Sequence, residues 1–307
     1  MTESTENSNF ERLVQSMDPE NKLLRAWAMK GGFSAQVTAL EVERPDGQTL
    51  KLIVHQHGAA NLKNNPQIAA HEFRLLKILH SLGLATPKPY YIDQSGEILS
   101  TPLVVLEYVD GLTEFAPANL DDCLLQLSTH LSRIHNVDCI NNDLTFLQEQ
   151  AKIYADKFRA RPEKLDDSLS EGRIRDTLEA VWPLLQQNKS ALLHGDYWPG
   201  NVLWKDGQLV AVIDWEIAEL GDPLADLGNT RLEILWAFGI EAMRRFTDYY
   251  EAMNPIDFSN LPYWDLCAAL RPAGKIAEWA ADVNHEKLMR DRHRLFIARA
   301  FDNLPIR

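Results

Sequence analysis

Within the segment SALLHGDYWPGNVLWKDGQLVAVIDW, residues 190–215, ionisable and hydrogen-bonding side chains are set into apolar surroundings. Two apolar runs, 191–193 and 209–213, end abruptly, the first in His194-Gly195-Asp196 and the second in Asp214. Runs of that length bounded by turn residues read as buried strands. A carboxylate at the end of a buried strand must be paired or must serve a purpose. Between the runs lies Asn201, followed by a hairpin over 202–210 whose Lys205-Asp206-Gly207 turn sends the chain back antiparallel. Asp196, Asn201 and Asp214 are thereby expected to converge on one end of that hairpin. Two carboxylates and one amide oxygen are hard ligands of the kind that suit Mg²⁺, an ion that leans on substrate phosphates for the rest of its coordination. The chemistry they point to is phosphoryl transfer. A metal-dependent hydrolase built on His194, Asp196 and Asp214 fits less well, because no second His-Asp pair or histidine cluster completes a two-metal site.

The elements that must position these residues can be read on either side. Residues 10–17 read as a short helix behind a polar start, MTESTENSNF, expected to be a disordered tail rather than a signal peptide. Strand patterns follow from residue 23, over 36–43 and over 50–55, with a glycine turn and a Pro45-Asp46-Gly47 turn between them. Residues 67–82 carry an apolar stripe at helical spacing that ends at Gly83. Residues 87–92 and 103–107 read as two more strands. Beyond Gly111 the character becomes helical, with helices expected over 120–137, 223–238, 241–253, 262–281 and 286–300. In the later helices Trp236, Trp264, Asp265, Glu278 and Trp279 could form an aromatic and acidic cage, although large aromatics at helical spacing more often fill a core.

The whole composition bounds the partners. A chain of 307 residues with 45% hydrophobic residues has room for one large domain or two lobes. The net charge of -13 argues against nucleic acid, whose binding needs clustered Lys and Arg, and is compatible with a cationic small molecule. No apolar stretch reaches the length of a membrane span. Cys123, Cys139 and Cys267 lie far apart with no Cys-x-x-Cys, which fits a reducing cytoplasm.

HGDYWPGNVLW followed by IDWE resembles the catalytic core of the aminoglycoside phosphotransferase and choline kinase group, relatives of the protein kinases. The resemblance implies an α+β, two-lobed protein-kinase-like fold: a tail and short helix over 1–22, a small lobe with an antiparallel sheet and one helix over 23–110, and a mostly helical large lobe over 111–307. Asp196 would be the catalytic base toward a substrate hydroxyl, Asn201 and Asp214 the metal ligands, and His194 a structural member of the loop. Gly31-Gly32-Phe33-Ser34 resembles the loop that covers nucleotide phosphates, and Glu107-Tyr108-Val109 the hinge that meets the adenine. Glu72 stands where the family carries a Glu that pairs with a strand Lys, and His55 stands in the place of that Lys. Leu220-Gly221-Asp222-Pro223-Leu224-Ala225-Asp226-Leu227 resembles the family's Gly-Asp-Pro-x-x-Asp-Leu element, with Asp222 as a helix cap and Asp226 bonding backbone near the catalytic loop. The implied function is transfer of the γ-phosphoryl group of ATP, with Mg²⁺, to a hydroxyl of an aminoglycoside-, choline- or sugar-like acceptor. The alternative, motivated by His55, is a weakly active or inactive relative that binds a nucleotide or a protein partner.

Overall fold

The computed structural model describes residues 3–29, 35–159, 161–184 and 188–305. The chain divides into two compact units, residues 1–110 and 111–307.

The first unit opens with α1 (Glu3–Met17), so the polar start is helical rather than a disordered tail. The reason is its C-terminal half: Phe10, Leu13 and Val14 sit at helical spacing and bury themselves against Leu40, Val42, Leu52, Val54, Leu103 and Val105. Three antiparallel strands follow, β1 (Lys22–Ala28), β2 (Ala35–Glu43) and β3 (Thr49–His57). A short α2 (Ala59–Asn64) leads to α3 (Ile68–Ser81), and then come β4 (Pro89–Asp93) and β5 (Leu103–Glu107). The sheet order is β1-β2-β3-β5-β4, antiparallel throughout. Side chains alternate across a strand, so Leu52 and Val54 of β3 meet α1 while His55 and His57 look toward α3. The unit therefore has helices on both faces of its sheet, one more layer than a sheet with a single helix.

The second unit begins with α4 (Leu120–His135), capped by the Asn119 side chain, which accepts from the Asp122 N–H. A two-residue β6 (Gln148–Glu149), α5 (Gln150–Arg159) and α6 (Glu171–Glu179) lead to β7 (Ala191–Leu193). The hairpin β8 (Val202–Lys205) and β9 (Gln208–Val212) turns through Asp206 and Gly207, both at positive φ, the twist-matched two-residue turn. Next comes β10 (Glu219–Gly221), which pairs antiparallel with β7. The remainder is α7 (Leu224–Phe238), α8 (Ile240–Met253), α9 (Leu261–Ala269), α10 (Ile276–Trp279) and α11 (Val283–Asp302). The single helix expected over 262–281 is broken. Pro272 removes an amide donor and Gly274 adopts φ +72°, so the chain turns between α9 and α10.

α7 is buried on nearly every side and packs on α8, α9 and α11. Such a helix is the axis of a helical domain rather than its skin. Among the described residues no helix is long and apolar enough to cross a membrane.

Candidate active site

β7 ends at His194, and the next two residues are held by one carboxylate. Asp226, in the first turn of α7, accepts the N–H of His194 at 2.6 Å, the N–H of Gly195 at 2.9 Å and the His135 Nε2–H at 3.3 Å. Burial alone would raise the Asp226 carboxyl; the His135 bond and charge and the His194 N–H outweigh it and hold the group below its ordinary range. Asp222 begins the same helix, its side chain accepting from the Leu224 N–H at 3.0 Å. Gly195 has φ +83°, and a Cβ there would lie 2.5 Å from the Ile217 carbonyl oxygen, so only glycine carries the chain through this bend.

His194 is fully buried and bonded at both ring nitrogens. Nε2–H donates to the Ile213 carbonyl at 3.0 Å, and Nδ1 accepts the Asp196 N–H at 3.2 Å. Burial pushes its pKa down, in keeping with a neutral ring in one fixed tautomer. The ring ties the loop at Asp196 to the strand end before Asp214.

Asp196 is half-buried, and its Oδ2 accepts from Asn201 Nδ2 at 3.2 Å. Asn201 Nδ2 also donates to the Asp196 carbonyl at 3.0 Å, so both of these bonds use the amide nitrogen and neither uses the oxygen. The Ile213 N–H donates to the Asn201 carbonyl at 2.9 Å, continuing the Val202↔Val212 register, so Asp214 stands one residue beyond the partner of Asn201. Asp214 has φ +67°, a left-handed conformation that Asp adopts more readily than most residues. The turn is closed by Trp215, whose Nε1–H donates to the Val212 carbonyl at 2.9 Å. The amide oxygen of Asn201 and the carboxylate of Asp214 are hard oxygen donors of the kind that suit Mg²⁺.

Arg271 was not singled out in the sequence, and the break between α9 and α10 delivers it to the same loop. Its Nη2 donates to Asp196 Oδ1 at 2.6 Å and its Nη1 to the Gly195 carbonyl at 2.8 Å. Burial works to lower the Arg271 pKa, but the charge and the hydrogen bond of Asp196 raise it. Glu233 of α7 is pushed up to about 8, by burial first and by the Asp196 charge second, against the pull of Arg271.

In the first unit His55 and Glu72 do meet. His55 Nδ1 lies 3.1 and 3.2 Å from the two Glu72 oxygens. Glu72 occupies the buried stripe of α3 with Ile68, Leu75, Leu76 and Leu79, which explains its burial. A second histidine shares it: His57 Nε2 lies 3.1 Å from Glu72 Oε2, and the two imidazoles meet edge to face at 4.7 Å. The His-x-His spacing on a strand was the signal for this, since residues two apart share a face. In Glu107-Tyr108-Val109, the Glu107 N–H donates to the Lys88 carbonyl and the Tyr108 N–H to the Lys51 carbonyl. The Val109 N–H has no acceptor among the described residues. Gly31, Gly32, Phe33 and Ser34 lie outside the described residues.

The aromatic and acidic cage does not form. Asp265 accepts two bonds of 3.0 Å from Arg231 and is buried. Trp264 packs in a cluster with Tyr154 and Trp182, whereas Trp236 packs against His293 and Trp279. Packing took the aromatic residues and an internal ion pair took the carboxylate.

Comparison with known proteins places this geometry. A sequence model described as the phosphotransferase enzyme family matches residues 28–267. Curated relatives include acyl-CoA dehydrogenase family member 11 of Rattus norvegicus, 25% identical over 233 residues, which cover 65% of this chain and 29% of that protein. The chain thus matches under a third of that relative's length. A homoserine kinase of Phenylobacterium zucineum is 28% identical over 215 residues, 64% of each protein. Among solved structures, a GDP complex of an aminoglycoside 2'-phosphotransferase aligns with TM-score 0.63 at 14% identity, covering 95% of this chain and 98% of that one. A macrolide 2'-phosphotransferase of Brachybacterium faecium aligns with TM-score 0.57 at 17% identity, covering 92% and 97%. At such identities the structures speak for the fold alone, which is the kinase-like α+β fold. A family match that runs from β1 to α9 and takes in the His194–Asp226 loop shows that the chain belongs to the phosphotransferase enzyme family.

Proposed function

We propose that this phosphotransferase moves the γ-phosphoryl group of ATP to a hydroxyl of a small molecule, with Asp196 as the base. The observation that carries the reading is the loop itself. Asp226 and His194 fix the backbone leading into Asp196, and Asn201 bonds its carboxylate. Asn201 and Asp214 are the residues suited to hold Mg²⁺, which when bound neutralises phosphate charge. Asp196 orients the acceptor hydroxyl and takes its proton as the bond from that oxygen to the γ-phosphorus forms and the bond from phosphorus to ADP breaks. His55, Glu72 and the Val109 amide are assigned to the nucleotide.

The test is an ADP-release screen across aminoglycosides, choline, sugars, amino alcohols and hydroxy acids. Asp196→Ala is expected to lower acceptor-dependent turnover at least about a thousandfold while ATP binding persists. Turnover retained by that variant would sink the assignment.

A second reading is favoured by one observation, the His55-Glu72-His57 cluster in place of a Lys-Glu pair. Imidazole is a weaker and conditional cation compared with an ammonium. A protein that binds Mg²⁺-ATP tightly yet transfers to no acceptor in the screen would be a nucleotide-binding relative. A gain of turnover in His55→Lys would instead identify a working enzyme with a weak phosphate clamp.

A further inference from the structure

Arg271 is the cation nearest the proposed base, and its bonds do not exhaust it. A guanidinium carries five N–H groups. Arg271 uses one on Asp196 Oδ1 and one on the Gly195 carbonyl, and the other three have no acceptor among the described residues. The side chain is 32% exposed. The charged and titratable groups that act on it come from three elements: Asp196 on the loop, Glu233 on α7 and Tyr154 on α5. Glu233 keeps its proton at neutral pH, because burial and Asp196 push it up to about 8. The Tyr154 phenol also keeps its proton, raised by burial. Around Arg271 and Asp196 the protein therefore presents a guanidinium, a carboxylic acid and a phenol. The other acidic candidate, Asp265, is consumed by Arg231. An ammonium bound here would face the positive charge of Arg271, whereas an oxyanion would meet a planar fork of N–H donors.

We infer that Arg271 selects an acceptor alcohol carrying an oxyanion, a carboxylate or a phosphate, and places its hydroxyl at Asp196. The inference rests on the phosphotransferase reading and deepens it. Arg271 bridges two partners, holding Asp196 with one edge and the acceptor's anion with the other. It is a specificity-determining residue. The sequence hid it because Arg-Pro-Ala-Gly reads as the interior of a long helix until the break is seen.

The experiment uses the full-length protein with ATP and Mg²⁺ and measures ADP release with acceptors matched except in charge. The carboxylate arm is 4-hydroxybutyrate and homoserine, and the phosphate arm is glycerol 3-phosphate. The neutral and cationic arms are 4-hydroxybutyramide, choline and kanamycin. Turnover is expected in one of the two anionic arms, which also tells carboxylate from phosphate. Arg271→Met is expected to raise KM for that acceptor about a hundredfold with kcat changed far less, and Arg271→Lys to recover part of the loss. Butyrate or inorganic phosphate should compete with the acceptor in the unaltered protein, which keeps the test open if Arg271→Met fails to fold. Turnover confined to choline, kanamycin or the amide overturns the inference and leaves the phosphotransferase reading standing. Equal loss of kcat for charged and neutral acceptors in Arg271→Met also overturns it, by assigning the guanidinium to the transferred phosphoryl group. No ADP release with any acceptor overturns the function and the inference together.

Discussion

Asp226 accepts three N–H groups while 2% exposed. Replacing one oxygen with an amide nitrogen in Asp226→Asn would set N–H against N–H at a buried site. Bonds to a buried charge are worth about 1.5–3 kcal/mol each, and breaking such a cluster costs about 3–5 kcal/mol. We expect a loss of about 3 kcal/mol in urea unfolding and a fall in turnover, since the freed backbone carries Asp196. At this scale the sequence was informative where spacing encodes chemistry. His194, Asp196, Asn201, Asp214 and Asp226 stand in a recognisable order, and the structure ties His194, Asp196, Asn201 and Asp226 by side-chain bonds into one network. It was uninformative where a residue's partner is distant in the chain. Nothing near Arg271 signals Asp196, 75 positions away. His57 was legible in principle from strand alternation, but the missing Lys drew the reading to His55 alone.

At the scale of elements, α7 and α9 carry the base's surroundings, and their approach is set by one glycine. A Cβ on Gly228 would lie 2.9 Å from the Trp264 backbone carbon and oxygen. Helix propensity favours alanine over glycine by about 1 kcal/mol. The clash is with backbone that cannot rotate away, and overpacking of this kind costs about 1–3 kcal/mol or more. Overpacking should win. Gly228→Ala is expected to destabilise by about 1–2 kcal/mol net in urea unfolding and to lower activity, because α9 leads directly to Arg271. A stabilised variant would show that the two helices can separate freely. The same region shows why the element pattern was only partly legible. Apolar periodicity continues through residues 262–281, but Pro272 removes a donor and the chain breaks, a local veto that periodicity does not register. The opening helix was missed from the other direction. Its polar first half reads as a tail, and only its packing through Phe10, Leu13 and Val14 makes it an element.

For the whole molecule, a net charge of -13 makes stability a question of which carboxylates gain or lose by folding. Burial pushes Glu72 up, yet the charge and bond of His55, joined by His57, bring it down to about 2. A carboxyl whose folded pKa is depressed stabilises above its unfolded value near 4.5 and loses that contribution as pH falls toward 2. Asp226 acts in the same direction. Glu233 acts oppositely: raised to about 8, it favours the folded state at lower pH and costs stability as pH rises from about 4.5 to 8. From these groups urea midpoints are thus expected to peak at about pH 4.5 and to fall on both sides. Glu72→Gln should flatten the acid limb and cost on the order of 3 kcal/mol at pH 7, seen in the same titration. An unchanged acid limb would mean that the histidines do not hold Glu72 in its charged form. The architecture itself was legible at this scale, because alternating strands followed by helical stripes leave few ways to bury both.

Asp214 adds a consequence for how the metal question is put to experiment. Its φ of +67° is one that alanine adopts only under strain, at a cost of about 1 kcal/mol or more. Alanine at this position changes two things at once, the ligand and the turn, and a dead variant would not say which. Asparagine tolerates the same backbone and keeps an oxygen, while glycine relaxes the backbone and removes the oxygen. The pair of substitutions separates coordination from conformation, and the loss that asparagine and glycine share belongs to the negative charge.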